Sequence, residues 1–147
     1  MAGFALRPVR AEDLPRLVEI EASWETSPHW TRAQFERELA FERSVGVVAE
    51  VEGRVAGFAF LWVVADEGQV ADLAVDPGSA RRGLGRALLR SLTGEARRRG
   101  CSAVTLEVRA DNAAAQALYV SEGFSVVGRR AKIYNGLVDA VLMTRRL

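Results

Sequence analysis

Two glycines stand at the mouth of a helix-like run in "ARRGLGRALL", Ala80 to Leu89, with arginines on both sides. Glycine is among the poorest helix formers, so a pair of them there needs a reason. One reason is chemical. Without side chains at Gly83 and Gly85, a ligand can approach the bare N–H groups that open a helix, and the neighbouring arginines mark that ligand as an anion. The other is a loop that needs only flexibility, and the stretch alone leaves both open. A second set of capable residues lies in "LEVRADNAAAQALYVSEGF". Glu107 can take a proton and Tyr119 can give one. On a helix, Asn112 and Tyr119 fall almost on one line, with Gln116 between them. Each also has a plain use: a strand glutamate as a solvated charge, a helical tyrosine as a core filler with a wet hydroxyl.

The surrounding sequence supplies elements to position these groups. Phe4 to Arg7 reads as a first strand, and Asp13 to Glu21 as a helix with Leu14, Leu17, Val18 and Glu21 at helical spacing. In "TRAQFERELAF", Thr31 and Gln34 have capping-box spacing and Trp30 is placed as a hydrophobic staple, with Phe35, Leu39 and Glu38 sharing a side. "SVGVVAEV" and "RVAGFAFLWVV" flank Glu52-Gly53, a hairpin signal, and "GQVADLAVD" follows as a strand that Pro77-Gly78 stops. The glycine-opened helix runs to Arg99, with Leu84, Leu88 and Leu92 spaced by fours and Gly100 just past its end. "CSAVTLEV" is a strand whose Val104, Leu106 and Val108 face the core while Thr105 and Glu107 face the other way. "NAAAQALYVSEG" is a helix capped by Asp111 or Asn112 and stopped by Gly123; "FSVVGRR" and "DAVLMTRR" are the last strands, joined by a loop.

The order is therefore β-α-α-β-β-β-α-β-α-β-β. It predicts an α/β fold over residues 1–147 as one domain: a mixed, twisted sheet with helices on both faces and a parallel pair at the β-α-β crossover. A carboxylate on the strand and a phenol on the next helix then converge on a cleft at the strand's carboxyl end, where open α/β sheets bind ligands.

Composition narrows the function. A formal net charge of +1 gives no global field towards nucleic acid or membrane. A single Cys101 excludes an internal disulfide, and one His beside one Cys gives no metal-ligand cluster, so no metal is expected. Cys101 itself reads as a buried structural thiol. The amino end lacks the apolar run of a signal peptide, and Val55 to Ala65 is shorter than the roughly 20 residues that span a bilayer. A cytoplasmic protein is expected, with no membrane and no direct nucleic-acid partner. The glycine stretch is not a P-loop, lacking Gly-Lys-Ser/Thr, nor a dinucleotide fingerprint, lacking the third glycine and the acidic residue. A phosphorylated ligand other than ATP or NAD fits better.

The run from "VADLAVDPGSARRGLGRALL" through "LEVRADNAAAQALYVSEGF" to "DAVLM" resembles the GCN5-related N-acetyltransferase (GNAT) family. Within it the chain is most similar to the RimI type, which acetylates the amino-terminal alanine of a ribosomal protein. The likeness covers about Phe4 to Met143. It implies acetyl-CoA as co-substrate. The backbone of Leu73, Ala74 and Val75 would pair with the pantetheine arm and polarise the thioester. Arg81, Arg82, Gly83, Leu84, Gly85 and Arg86 would wrap the pyrophosphate, and Asn112 would hold the cofactor near the thioester. Glu107 would be the general base and Tyr119 the general acid. Trp30, in "SPHWTRAQF", and Tyr134, in "RRAKIYNGLVDA", would border the groove for a protein amino terminus. Two departures stand out: Ala80 replaces the family's Gln or Arg, and His29 is inserted between Pro28 and Trp30.

The expectation is thus an enzyme that acetylates a ribosomal protein's α-amino group by direct attack in a ternary complex. The rival readings are a same-fold enzyme acting on a small amine or on protein lysines, and a non-catalytic acyl-CoA sensor. A sensor needs the glycine loop but no proton pair. An Arg-rich RNA-binding domain is disfavoured by the near-neutral charge and the lack of stacking aromatics among the arginines.

Overall fold

A computed structural model describes residues 3–24, 29–80, 82–134, 136 and 138–147. Its elements follow the expected order: β1 (Ala5–Pro8), α1 (Leu14–Ala22), α2 (Arg32–Ala40), β2 (Ser44–Val51), β3 (Arg54–Val64), β4 (Glu67–Val75), α3 (Leu84–Arg98), β5 (Ala103–Arg109), α4 (Ala113–Ser121), β6 (Ser125–Tyr134) and β7 (Val138–Arg146). Short 3-10 turns precede α1 and follow β4.

Local chemistry explains the boundaries. The Thr31 side chain accepts from the Gln34 N–H while Gln34 reaches back to the Thr31 N–H, the reciprocal box that fixes where α2 begins. The Trp30 ring packs edge-on against Phe35 at 5.4 Å, so the staple forms as well. Glu52 and Gly53 both have positive φ, 52° and 78°, which matches a tight two-residue hairpin to the twist of its strands. Two expectations are corrected. Leu39 is exposed, because Phe35 and Glu38 already fill the narrow buried side of the nine-residue α2. The first of the last two strands is longer than expected, since β6 runs on through the expected loop to Tyr134, which pairs with Val138.

Seven strands form one sheet in the order β1-β2-β3-β4-β5-β7-β6. All neighbours are antiparallel except β4 and β5, the parallel pair across the α3 crossover. Helices cover both faces, so central β3 is buried continuously from Val55 to Leu61 rather than alternately. On one face α1 and α2 bring Leu14, Leu17, Ile20 and Phe35 onto Val48, Phe58, Phe60 and Ala74. On the other, Leu84, Leu88, Leu89 and Leu92 of α3 and Tyr119 of α4 pack on Ala59, Leu61, Val104, Leu106 and Val108.

One irregularity matters for the site. The β3–β4 register jumps from Phe60↔Asp72 to Leu61↔Val70, so Ala71 is an extra residue in β4. Such a bulge bends its strand. On its other edge β4 pairs with β5 only over Glu67–Gln69 and Ala103–Thr105. Beyond those pairs the two parallel strands part.

Candidate active site

The parting of β4 and β5 opens a cleft in the middle of the sheet, towards the carboxyl ends of both strands. The Asp76 N–H donates to the Ala56 carbonyl of β3 at 2.7 Å, which sets the alternation along β4. Ala74 shares the parity of Asp76 and turns its peptide groups to β3, whereas those of Leu73 and Val75 turn to the cleft. Leu73 and Val75 are therefore the residues of the expected trio whose backbone is presented there. The Leu73 N–H meets Asp72 Oδ1 at 2.9 Å and the Val75 carbonyl accepts from Trp24 Nε1 at 2.6 Å. Arg16 of α1 anchors the end of the strand, donating to Asp76 Oδ2 at 2.7 Å and to the Val55 carbonyl.

Past β4 the chain turns into α3. Gly83 is the N-cap residue with φ +80°, a left-handed conformation that any other residue adopts only under strain. The first helical bond runs from the Ala87 N–H to the Gly83 carbonyl, so the N–H groups of Gly83, Leu84, Gly85 and Arg86 precede the helix's own acceptors. No side chain caps this end and its first turn carries no acidic residue, which leaves the positive end of the helix dipole to an outside anion. A Cβ added at Gly85 would meet Leu118 at an ordinary 3.4 Å, so the fold itself has room for a side chain there. Leu84 points into the core and offers backbone only. Arg82 is exposed, and Arg81 lies outside the described residues. The Arg86 side chain does not join the loop as expected. Its guanidinium is committed to Glu122 Oε2 at 2.5 Å and Ser121 Oγ at 3.0 Å, at the end of α4.

Asn112 is the N-cap of α4, its side-chain oxygen accepting from the Ala115 N–H at 3.1 Å. That leaves its NH2 as the group able to reach a ligand. Glu107 lies on the α1/α2 face, where Arg130 Nε of β6 stands 3.2 Å from its carboxylate. Tyr119 lies on the α3/α4 face, buried, its ring against Phe124 at 5.9 Å. The proposed base and acid thus lie on opposite faces of the sheet. Trp30 is on the Glu107 side, its ring 5.9 Å from Phe60, beside a depression of about 420 Å³ lined by Gln34, Arg37, Glu38, Phe41 and Trp62. The Tyr134 side chain lies outside the described atoms. Cys101 is buried, and burial pushes its thiol up, so it stays protonated and inert.

Three buried acids on the α1/α2 face escaped sequence reasoning as site elements: Glu21, Glu38 and Asp72. The trace of each was present, a carboxylate at a position whose neighbours in the pattern are apolar. Glu38 accepts from the Ser44 hydroxyl and from Trp62 Nε1.

A sheet opened between two parallel strands, ahead of an uncapped glycine-started helix, is an acyltransferase architecture, and the chain belongs to the acetyltransferase (GNAT) family, whose model matches residues 11–124. It is an N-acetyltransferase. It is 41% identical over 134 residues, 89% of each chain, to the [ribosomal protein bS18]-alanine N-acetyltransferase of Escherichia coli K12. It is 40% identical over 139 residues, 90% of this chain and 86% of the relative, to the N-alpha-acetyltransferase RimI of Mycobacterium tuberculosis. The crystal structure of the Escherichia coli ribosomal-protein-S18-alanine N-acetyltransferase matches with a TM-score of 0.89 and 37% identity, covering 98% of this chain and 94% of that one. Among the described residues no helix is long and apolar enough to cross a membrane, and no cluster of three His, Cys, Asp or Glu is placed to hold a metal ion.

Proposed function

We propose that this chain transfers the acetyl group of acetyl-CoA to the α-amino group of a ribosomal protein that begins with alanine. The observation that carries the reading is the early end of the β4–β5 pairing ahead of the uncapped start of α3, with Glu107 on β5 just past the last paired residue, Thr105. The names of the relatives at about 40% identity support the choice of acceptor.

The residues act as follows. The N–H groups of Gly83 to Arg86 take the pyrophosphate, helped by Arg82 and Arg81, which precede them in the sequence. The cleft-facing backbone of Leu73 and Val75 aligns the pantetheine arm, and the Asn112 NH2 holds it near the thioester. An α-amine with a pKa near 8 is about nine-tenths protonated at pH 7 and cannot attack in that form. Glu107 removes its proton, directly or through a water. The free amine attacks the thioester carbon, a C–N bond forms, and the negative charge moves to the carbonyl oxygen. Main-chain N–H groups of β4 stabilise that oxyanion, each donor contributing roughly 3 kcal/mol. Collapse breaks the C–S bond, the Tyr119 phenol protonates the departing thiolate, and the surplus proton on the new amide nitrogen leaves to solvent, which returns a proton to Tyr119. Trp30 and Tyr134 border the groove for the first residues of the acceptor.

The test is a panel of peptides that differ in their first three residues, with free lysine and polyamines alongside, assayed with acetyl-CoA by thiol release. Activity concentrated on peptides that begin with Ala is the expected result. Equal or better turnover of polyamines or of lysine side chains would overturn the acceptor assignment.

A further inference from the structure

Trp24 stands two residues past the end of α1 and is exposed, with 36% of its surface open to solvent. Its indole N–H nonetheless turns to the protein. It donates to the Val75 carbonyl at 2.6 Å, across 51 positions of sequence. An indole nitrogen can only donate, and Val75 offers it an oxygen that no strand pairs, because β5 pairs with β4 only as far as Gln69. The backbone on either side of this contact is fixed. Ser23 closes α1 by donating from its N–H and its hydroxyl to the Ile20 carbonyl, and Arg16 of the same helix holds Asp76, the residue after Val75. The Trp24 side chain is therefore the part of the contact that can swing, by rotation about its own bonds, without disturbing either element.

The Val75 carbonyl is one of the cleft-facing main-chain groups read above as aligning the pantetheine arm. Pantetheine carries amide N–H groups, and an arm lying along β4 must find carbonyl oxygens for them, since a buried amide without a partner is costly. In the free chain the oxygen of Val75 already has a donor. A donor 2.6 Å from an oxygen that faces the cleft stands on the side of β4 where the arm would lie. We propose that Trp24 is a positioning residue that acetyl-CoA displaces: its indole N–H satisfies Val75 in the free enzyme and yields that oxygen to a pantetheine amide N–H when the cofactor enters. This rests on the reading that the Val75 backbone aligns the arm. The exchange keeps the end of β4 hydrogen-bonded in both states, and entry of the arm, rather than of the nucleotide end, is the step that moves the indole. Trp24 lies six positions before Trp30, so the move occurs on the connection that leads to the proposed acceptor groove.

Nitrogen-15 NMR and calorimetry on the whole protein test it. The chain has three tryptophans, and the Trp24 indole N–H signal is the one missing from Trp24→Phe. In the parent, coenzyme A should move that signal upfield and speed its exchange with solvent, as a released donor requires. Adenosine 3′,5′-bisphosphate, which lacks the arm, should leave the signal in place. Trp24→Phe keeps an aromatic ring and removes the donor. It should bind coenzyme A about two- to tenfold more tightly than the parent, with its affinity for the bisphosphate unchanged. A side chain that merely braces the strand predicts the reverse, weaker binding on its removal. Bound coenzyme A with an unmoved Trp24 signal, or a Trp24→Phe variant that binds coenzyme A no more tightly than the parent, overturns the proposal and leaves the cofactor assignment standing. A parent chain that fails to bind coenzyme A at all sinks the reading of the cleft, and the proposal with it.

Discussion

At the scale of single residues, Glu107 and Tyr119, the proposed base and acid, differ in their surroundings. Glu107 is exposed beside Arg130, whereas Tyr119 is buried against Phe124. Glu107→Gln should lower kcat/KM for the peptide about 10²- to 10⁴-fold at neutral pH, with acetyl-CoA affinity measured by calorimetry nearly unchanged. Tyr119→Phe, which leaves the ring packed on Phe124, should slow transfer by a similar order with little change in melting temperature. Wild-type turnover in either variant removes that residue from the mechanism. Both were legible in the sequence, since period-2 alternation put Glu107 opposite Val104, Leu106 and Val108, and the helical period put Tyr119 in line with Asn112. The burial of Glu21 and Asp72 was not, because it follows from how α1 and β4 pack, which no local pattern encodes.

Elements carry the next level of the argument. The start of α3 lacks a capping side chain, so Gly85→Glu should abolish CoA binding by placing a carboxylate among the donors meant for the pyrophosphate. A far-ultraviolet spectrum should show the fold retained; full CoA affinity in that variant would refute the site. At the other end of the α3–α4 contact, Glu122 receives Arg86 and Arg90. The Arg90 guanidinium, against an opposing burial effect, and then Arg86 hold the Glu122 carboxyl below the usual glutamate range. Its native value is depressed, so its stabilisation is present above about pH 4.3 and is lost as pH falls through the native value. Glu122→Gln should therefore cost about 1 kcal/mol in urea unfolding at neutral pH, and the gap to the parent should close in acid. Local signals made most elements readable: the Thr31–Gln34 box, the Trp30–Phe35 staple and the Glu52-Gly53 turn are each set by residues a few positions apart. The true length of β6 was hidden because it is an edge strand, where charged and polar residues that read as loop are tolerated.

For the whole molecule, the bulge at Ala71 and the short β4–β5 pairing let the two parallel strands part in the middle of the sheet. The α3/α4 face carries the uncapped helix start and Tyr119, the proposed acid; the α1/α2 face carries Glu107, the proposed base, and Trp30. The alternating order of strands and helices announced this two-faced sheet, yet the width of its opening depends on how many residues of β4 and β5 pair, which no local pattern encodes. A crystal structure with coenzyme A and an Ala-initial peptide tests the account most directly. It should show the pyrophosphate on the N–H groups of Gly83 to Arg86 and the sulfur in the cleft between Glu107 and Tyr119. A pyrophosphate bound elsewhere, or a sulfur remote from that pair, would contradict it.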